Sequence, residues 1–89
     1  MLHVVIVDAW IARARATATA HRVQPLEAVD ARCAELVDRL VSEAREAHER
    51  ALVGAVEARL RSELPNETNP RALYVLERIC MLLARGRLP

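Results

Sequence analysis

The chain has 89 residues, enough for a single domain, and its 13 basic and 12 acidic side chains leave a formal charge of +1. That balance excludes a protein held to nucleic acid by overall charge, and a composition 53% apolar and 28% charged excludes a disordered chain. Two cysteines, Cys33 and Cys80, are too few to staple a small secreted scaffold and point to a reducing, cytoplasmic setting.

All 13 basic residues are arginine, phenylalanine is absent, and Trp10 and Tyr74 are the only aromatic side chains. A domain this small buries only about 60% of its chain surface. With an apolar content made mainly of Ala, Val and Leu, the expected core is thin, and a second copy or a partner is expected to complete it.

Breakers are sparse, and Pro25, Pro65 and Pro70 divide the chain into segments 2–23, 26–64 and 71–85. The first segment opens on an apolar run, Leu2 to Ala12, broken by Asp8 and far short of the roughly 20 residues a membrane span needs. Arg13 and Arg15 follow the run instead of preceding it, so it does not read as a signal peptide. As a helix the segment carries two seams: Leu2, Val5, Ala9, Ala12, Ala16 and Ala20 on one side, and Val4, Val7, Ile11, Ala14 and Ala18 on the other. Two apolar sides predict a helix sandwiched between neighbours. The rival reading is a strand at His3–Val7, favoured by four consecutive β-branched residues, with Asp8 capping a helix from Ala9. No second strand exists to pair with it, and a strand would need a symmetry mate, so helix is preferred.

The middle segment shows helical periodicity. Leu26, Val29, Cys33, Leu36, Val37, Leu40, Ala44, Ala47 and Ala51 form one stripe, opposite Glu35, Asp38, Arg39, Ser42, Glu46, Glu49 and Arg50. Oppositely charged pairs four residues apart (Glu35–Arg39, Arg39–Glu43, Arg45–Glu49, Glu46–Arg50, Glu57–Arg61 and Arg59–Glu63) mark a solvated face. Near Gly54 the stripe changes sides, to Val53, Val56, Leu60 and Leu64. An unbroken helix over 26–64 would span about 58 Å, against about 30 Å for a domain of this size. A kink near Gly54 or dimerisation is therefore expected.

Residues 65–70 read as a loop, with Asn69 capping the third helix and Pro70 in its first turn. Around that helix Ala72, Leu73, Val75, Leu76, Ile79, Cys80, Leu82 and Leu83 cover about half the circumference. The other side presents Arg71, Tyr74, Arg78, Met81 and Arg85, residue types enriched in protein interfaces, and these are the candidate partner-binding residues.

Catalytic patterns are not found. His3, His21 and His48 lack the spacing of metal ligands, and His48 reads as a histidine bordering the apolar stripe. Cys33 and Cys80 read as small buried hydrophobes. The acidic residues from Glu27 to Glu49 lie mainly on the polar face, where no apolar pocket raises a carboxyl for acid catalysis. Gly-rich phosphate loops and Ser/His/Asp arrangements are missing too. A long Arg- and Leu-rich helix in a short helical chain resembles, superficially, the helical chorismate mutases. That family uses arginines and a lysine from its long helix, whereas this chain has no lysine and its long helix comes second. No residue role is carried over.

The sequence thus predicts an all-α bundle of a short helix, a long helix and a short C-terminal helix, completed by dimerisation. The expected function is a non-enzymatic, cytoplasmic, homo-oligomeric interaction or assembly module, an adaptor or regulatory partner without metal or cofactor. The alternative is a dimeric nucleic-acid-binding regulator that uses the terminal arginines Arg13, Arg15 and Arg22.

Overall fold

Residues 2–20 and 24–86 are described in the computed structural model of the chain, and they form four α-helices and one 3-10 turn. The helices are α1 (Leu2–Ala20), α2 (Leu26–Glu46), α3 (Ala51–Glu63) and α4 (Pro70–Gly86), with the 3-10 turn at Leu64–Asn66 between α3 and α4. They pack as a small all-α bundle of 36 × 24 × 20 Å. Cross-helix pairs give its sense. Asp8 meets Arg59 and Arg15 meets Glu63, so α1 and α3 run parallel. Asp30 meets Tyr74 and Arg78, and Leu82 lies with Val37 and Val41, so α2 and α4 run parallel too. Helix α4 packs against all three others, while α1 and α2 touch each other least.

One apolar cluster fills the interior. From α1 it takes Val7, Trp10, Ile11, Ala14 and Ala18; from α2, Val29, Cys33, Val37, Leu40 and Ala44. From α3 come Leu52, Val53, Val56 and Leu60, and from α4 Val75, Leu76, Ile79, Cys80 and Leu83. The buried residues of α2 and α4 all lie on the stripes their periodicity predicts, but Leu26, Ala47 and Ala51, at the ends of the predicted middle stripe, are exposed. Asn69 caps α4 as expected: its Oδ1 accepts the backbone N–H groups of Arg71 at 2.9 Å and Ala72 at 3.1 Å.

The preferred helical reading of the first segment holds, and its expected burial on two sides is corrected. The alternative strand at His3–Val7 is helix, and α1 begins at Leu2 well ahead of Asp8. A β-branched residue costs only a few tenths of a kcal/mol in a helix, which burial of Val7 outweighs. Of the two seams on α1, only the one through Val7, Ile11, Ala14 and Ala18 is buried; Val4 on its line is exposed, as are Val5, Ala9, Ala12 and Ala16 on the other. The predicted extension of this helix to residue 23 lies outside the described residues.

The long middle helix is two helices, and the break lies at residues 47–50, ahead of Gly54. Glu49 N–H donates to Ala44 C=O at 2.7 Å and His48 N–H to Arg45 C=O at 3.1 Å. These paired bonds close a helix end whose next residue must be left-handed, and His48 takes that role with φ 56°. Gly54 sits inside α3 without positive φ. The turn re-aims the chain so that the α2 stripe ending at Ala44 and the α3 stripe starting at Leu52 both face the core. That is the physical content of the change of sides seen in the sequence.

Candidate partner-binding surface

The candidate residues of α4 lie along its seam with α2. Asp30 of α2 is the hub. It accepts the Tyr74 hydroxyl at 2.9 Å and pairs with Arg78 Nε at 3.6 Å. One turn earlier, the Arg71 guanidinium donates to the Gln24 carbonyl. Three of the five candidates are therefore tied to the start of α2, and Met81 and Arg85 continue the row as exposed side chains. The row is one surface because 71, 74, 78, 81 and 85 recur at helical spacing.

Beside the row, an open groove of about 430 Å³ is lined by Ala34, Val37, Asp38, Val41, Ser42 and Arg45 of α2 with Leu82 of α4. A second open groove of about 300 Å³ runs along α4 over Pro70, Leu73, Tyr74, Glu77, Arg78 and Met81. Met81 is 46% exposed and Tyr74 36%. The sequence reading missed the α2 half of this surface. Its signal is present in Ala34 and Val41, which sit seven residues apart on one edge of the helix and widen the main stripe at Val37.

The electrostatics do not equip this seam for covalent chemistry. Burial, with the nearby Asp30 charge, pushes the Cys33 thiol up to about 11, partly opposed by Arg78. The thiol is thus protonated at neutral pH and inert as a nucleophile. Donation to the Asp30 carboxylate, together with desolvation, raises the Tyr74 phenol above its ordinary range. Burial also raises the Cys80 thiol, with the Arg61 charge opposing and those of Glu57 and Glu77 adding. Both cysteines are free. No cluster of three or more His, Cys, Asp or Glu able to hold a metal ion occurs among the described residues.

The arginines of the alternative reading lie elsewhere. Arg13 stacks over Trp10, 4.3 Å from the ring centroid. Arg15 pairs with Glu63 and, at 3.6 Å, with Glu67. Arg22 lies outside the described residues. Arg15 belongs to a chain of alternating charge on the α1–α3 seam. Arg59 binds Asp8 at 2.8 Å and Glu63 at 3.1 Å, so the order is Asp8, Arg59, Glu63, Arg15, Glu67. Hydrogen bonding from Arg15, with Arg59 adding to it, holds the Glu63 carboxyl below its ordinary range. The expected four-apart pairs Glu57–Arg61 and Arg59–Glu63 are formed, and Glu35 pairs with Arg32. Glu57 is only 5% exposed, a burial the sequence does not announce, and Arg61 Nε reaches its carboxylate at 2.7 Å.

No family model, curated protein or solved structure matches the chain. No helix of the described residues is long and apolar enough to cross a membrane.

Proposed function

We propose that the chain is a small non-enzymatic interaction or assembly module, a homo-oligomeric cytoplasmic adaptor or regulatory partner, that docks another protein on its α2–α4 face. The observation that carries this reading is the exposed row of Tyr74 and Met81 beside two open, apolar-floored grooves. Large side chains with rigid or adaptable contact area, flanked by arginine, are the types that anchor interfaces. The bonds from Asp30 to Tyr74 and Arg78 support the reading further. They hold these side chains in place before binding, which lowers the ordering cost on association.

The test is affinity capture by the wild-type chain and by Met81→Glu, with a thermal melt of each. Met81 is half in solvent, so the melt is expected to change little. Proteins held by the wild type and lost by the variant support the reading. Identical capture by both overturns it. Retention on heparin that falls steeply with salt and depends on Arg13 and Arg15, with no protein partner captured, favours the nucleic-acid alternative.

A further inference from the structure

We infer that the C-terminal half of the α2–α4 face is covered by the same half-face of a second copy of this chain, each α4 lying antiparallel on the other copy's α2. The inference deepens the proposed function, on which it rests, by naming a second copy as an occupant of that surface. Ala34, Val37 and Val41 of α2 and Leu82 of α4 floor an open groove of about 430 Å³. Met81, next to Leu82 in the chain, is 46% exposed. The same surface thus carries an apolar groove and an apolar side chain free to enter one. Around them stand four exposed charges, Asp38 and Arg45 on α2 and Glu77 and Arg85 on α4. Among the described residues none of these four is in a salt bridge, whereas Asp30 and Arg78, toward the other end of the face, are paired with each other.

The order of these groups identifies the occupant. Along α2 it runs acid, apolar, base: Asp38, Val41, Arg45. Along α4 it again runs acid, apolar, base: Glu77, Met81, Arg85. The two triplets span about 10.5 Å and about 12 Å at 1.5 Å per residue, so one can lie along the other. With α4 laid antiparallel on α2 and Met81 over Val41, Arg85 meets Asp38 and Glu77 meets Arg45. Laid parallel with Met81 in the same place, acid would meet acid and base would meet base, so charge selects the antiparallel arrangement. Within one copy α2 and α4 run parallel, with Val37 and Val41 at the level of Leu82. A two-fold axis normal to the face at that level therefore makes the match twice, once for each α4 on the other copy's α2. A face complementary to itself closes as a dimer and leaves no open edge. The contact covers only about two turns of each helix, so the dimer is weak, depends on concentration and yields the face to a docking protein.

Sedimentation equilibrium on the full chain tests this. The weight-average mass is expected to climb from 9.9 kDa toward twice that value between about 10 µM and 1 mM. Asp38→Arg and Arg85→Glu each set like charges against each other across the contact, and each is expected to weaken self-association at least about tenfold. A chain carrying both exchanges has opposite charges facing again and is expected to dimerise as the wild type does. Met81→Glu, which removes the apolar contact, is expected to weaken self-association by at least as much as either single charge exchange. All three positions are exposed, so the melt of the dilute chain is expected to change little in every variant. Monomer at every concentration overturns the inference. Self-association untouched by Met81→Glu overturns it as well, as does a well-folded double variant that stays as weak as the two single ones. A chain that is monomeric throughout yet captures other proteins in a Met81-dependent way removes the second copy and leaves the docking surface standing, so the two failures are told apart.

Discussion

Helices α1 and α2 lie on the outside of the same bundle and make the least contact with each other, yet they treat solvent in opposite ways. Along α2 the buried line Val29, Cys33, Val37, Leu40 and Ala44 is backed by Glu35, Asp38, Arg39, Ser42 and Glu46. Along α1 the buried line Val7, Ile11, Ala14 and Ala18 is backed by Val5, Ala9, Ala12 and Ala16. Both helices gain stability from one inward stripe. The outward side of α2 is dense in charge, whereas that of α1 sets Val5, Ala9, Ala12 and Ala16 between the exposed Asp8, Arg13, Arg15 and Thr19. The core reads only one side of α1, and the other side carries neither the apolar stripe nor the charge row of α2.

The largest effects should come from the inward stripes. Leu40 and Leu76 are almost fully buried, and Leu40→Ala or Leu76→Ala is expected to cost about 2–5 kcal/mol in chemical denaturation. Val5→Ala removes a comparable apolar group from the outward side of α1 and should leave the stability of the dilute chain nearly unchanged. If Val5→Ala destabilises as Leu40→Ala does, the outward face of α1 is already packed and the contrast between the two helices collapses.

A sharper version stays within one helix. Ala14 is buried and Ala12 is exposed, two residues apart. Ala14→Leu should overpack the core and cost about 1–3 kcal/mol. Ala12→Leu, on the exposed side, should be tolerated by the fold. Equal melts for the two variants would mean that α1 has no distinct inner side.

The inward stripe of α2, the apolar half of α4 and its Asn69 cap were legible because each is a local pattern: spacing, or one side chain beside the helix it starts. The two seams of α1 were legible as well, but not which one the core would take. That choice depends on neighbours distant in sequence, such as Glu63 and Glu67 for Arg15. The same holds for the candidate surface. Tyr74, Arg78 and Met81 are visible as residue types at a helical spacing. Their tie to Asp30 spans 44 positions between Asp30 and Tyr74 and has no local signature. The break between α2 and α3 escaped for a different reason. Helix ends of this kind are usually marked by glycine, and here histidine holds the left-handed position while the glycine nearby is helical.

That inversion gives a smaller, two-part expectation. Left-handed geometry costs a residue with a Cβ about 1–2 kcal/mol, so His48→Gly should raise the melting temperature. Gly54 lies inside α3, and Gly54→Ala should also stabilise, by about 0.5–1 kcal/mol. A fall in both melts would return the break to Gly54.

The smallest effects near neutral pH belong to the two polar seams, and they separate at opposite ends of the pH scale. On the α1–α3 seam, Glu63 is held below its ordinary value of 4.5 by Arg15 and Arg59. A carboxyl depressed in the folded state stabilises above its unfolded value and loses that contribution as pH falls through the folded one. The melt should therefore decline on acidification below about pH 4.5, and Glu63→Gln should make that decline shallower. On the α2–α4 seam, burial raises Cys33 from 9.0 to about 11. A thiol kept neutral by folding contributes fully below its unfolded value and loses that contribution as pH rises from about 9 to 11, because the unfolded chain ionises first. Tyr74 and Cys80 are raised as well and act in the same sense. Cys33→Ala should thus reduce the alkaline slope without abolishing it and leave the acid limb alone, while Glu63→Gln does the reverse. A Cys33→Ala chain whose alkaline slope matches that of the wild type would mean that water reaches the thiol, and that the seam beneath the candidate surface is more open than its packing states.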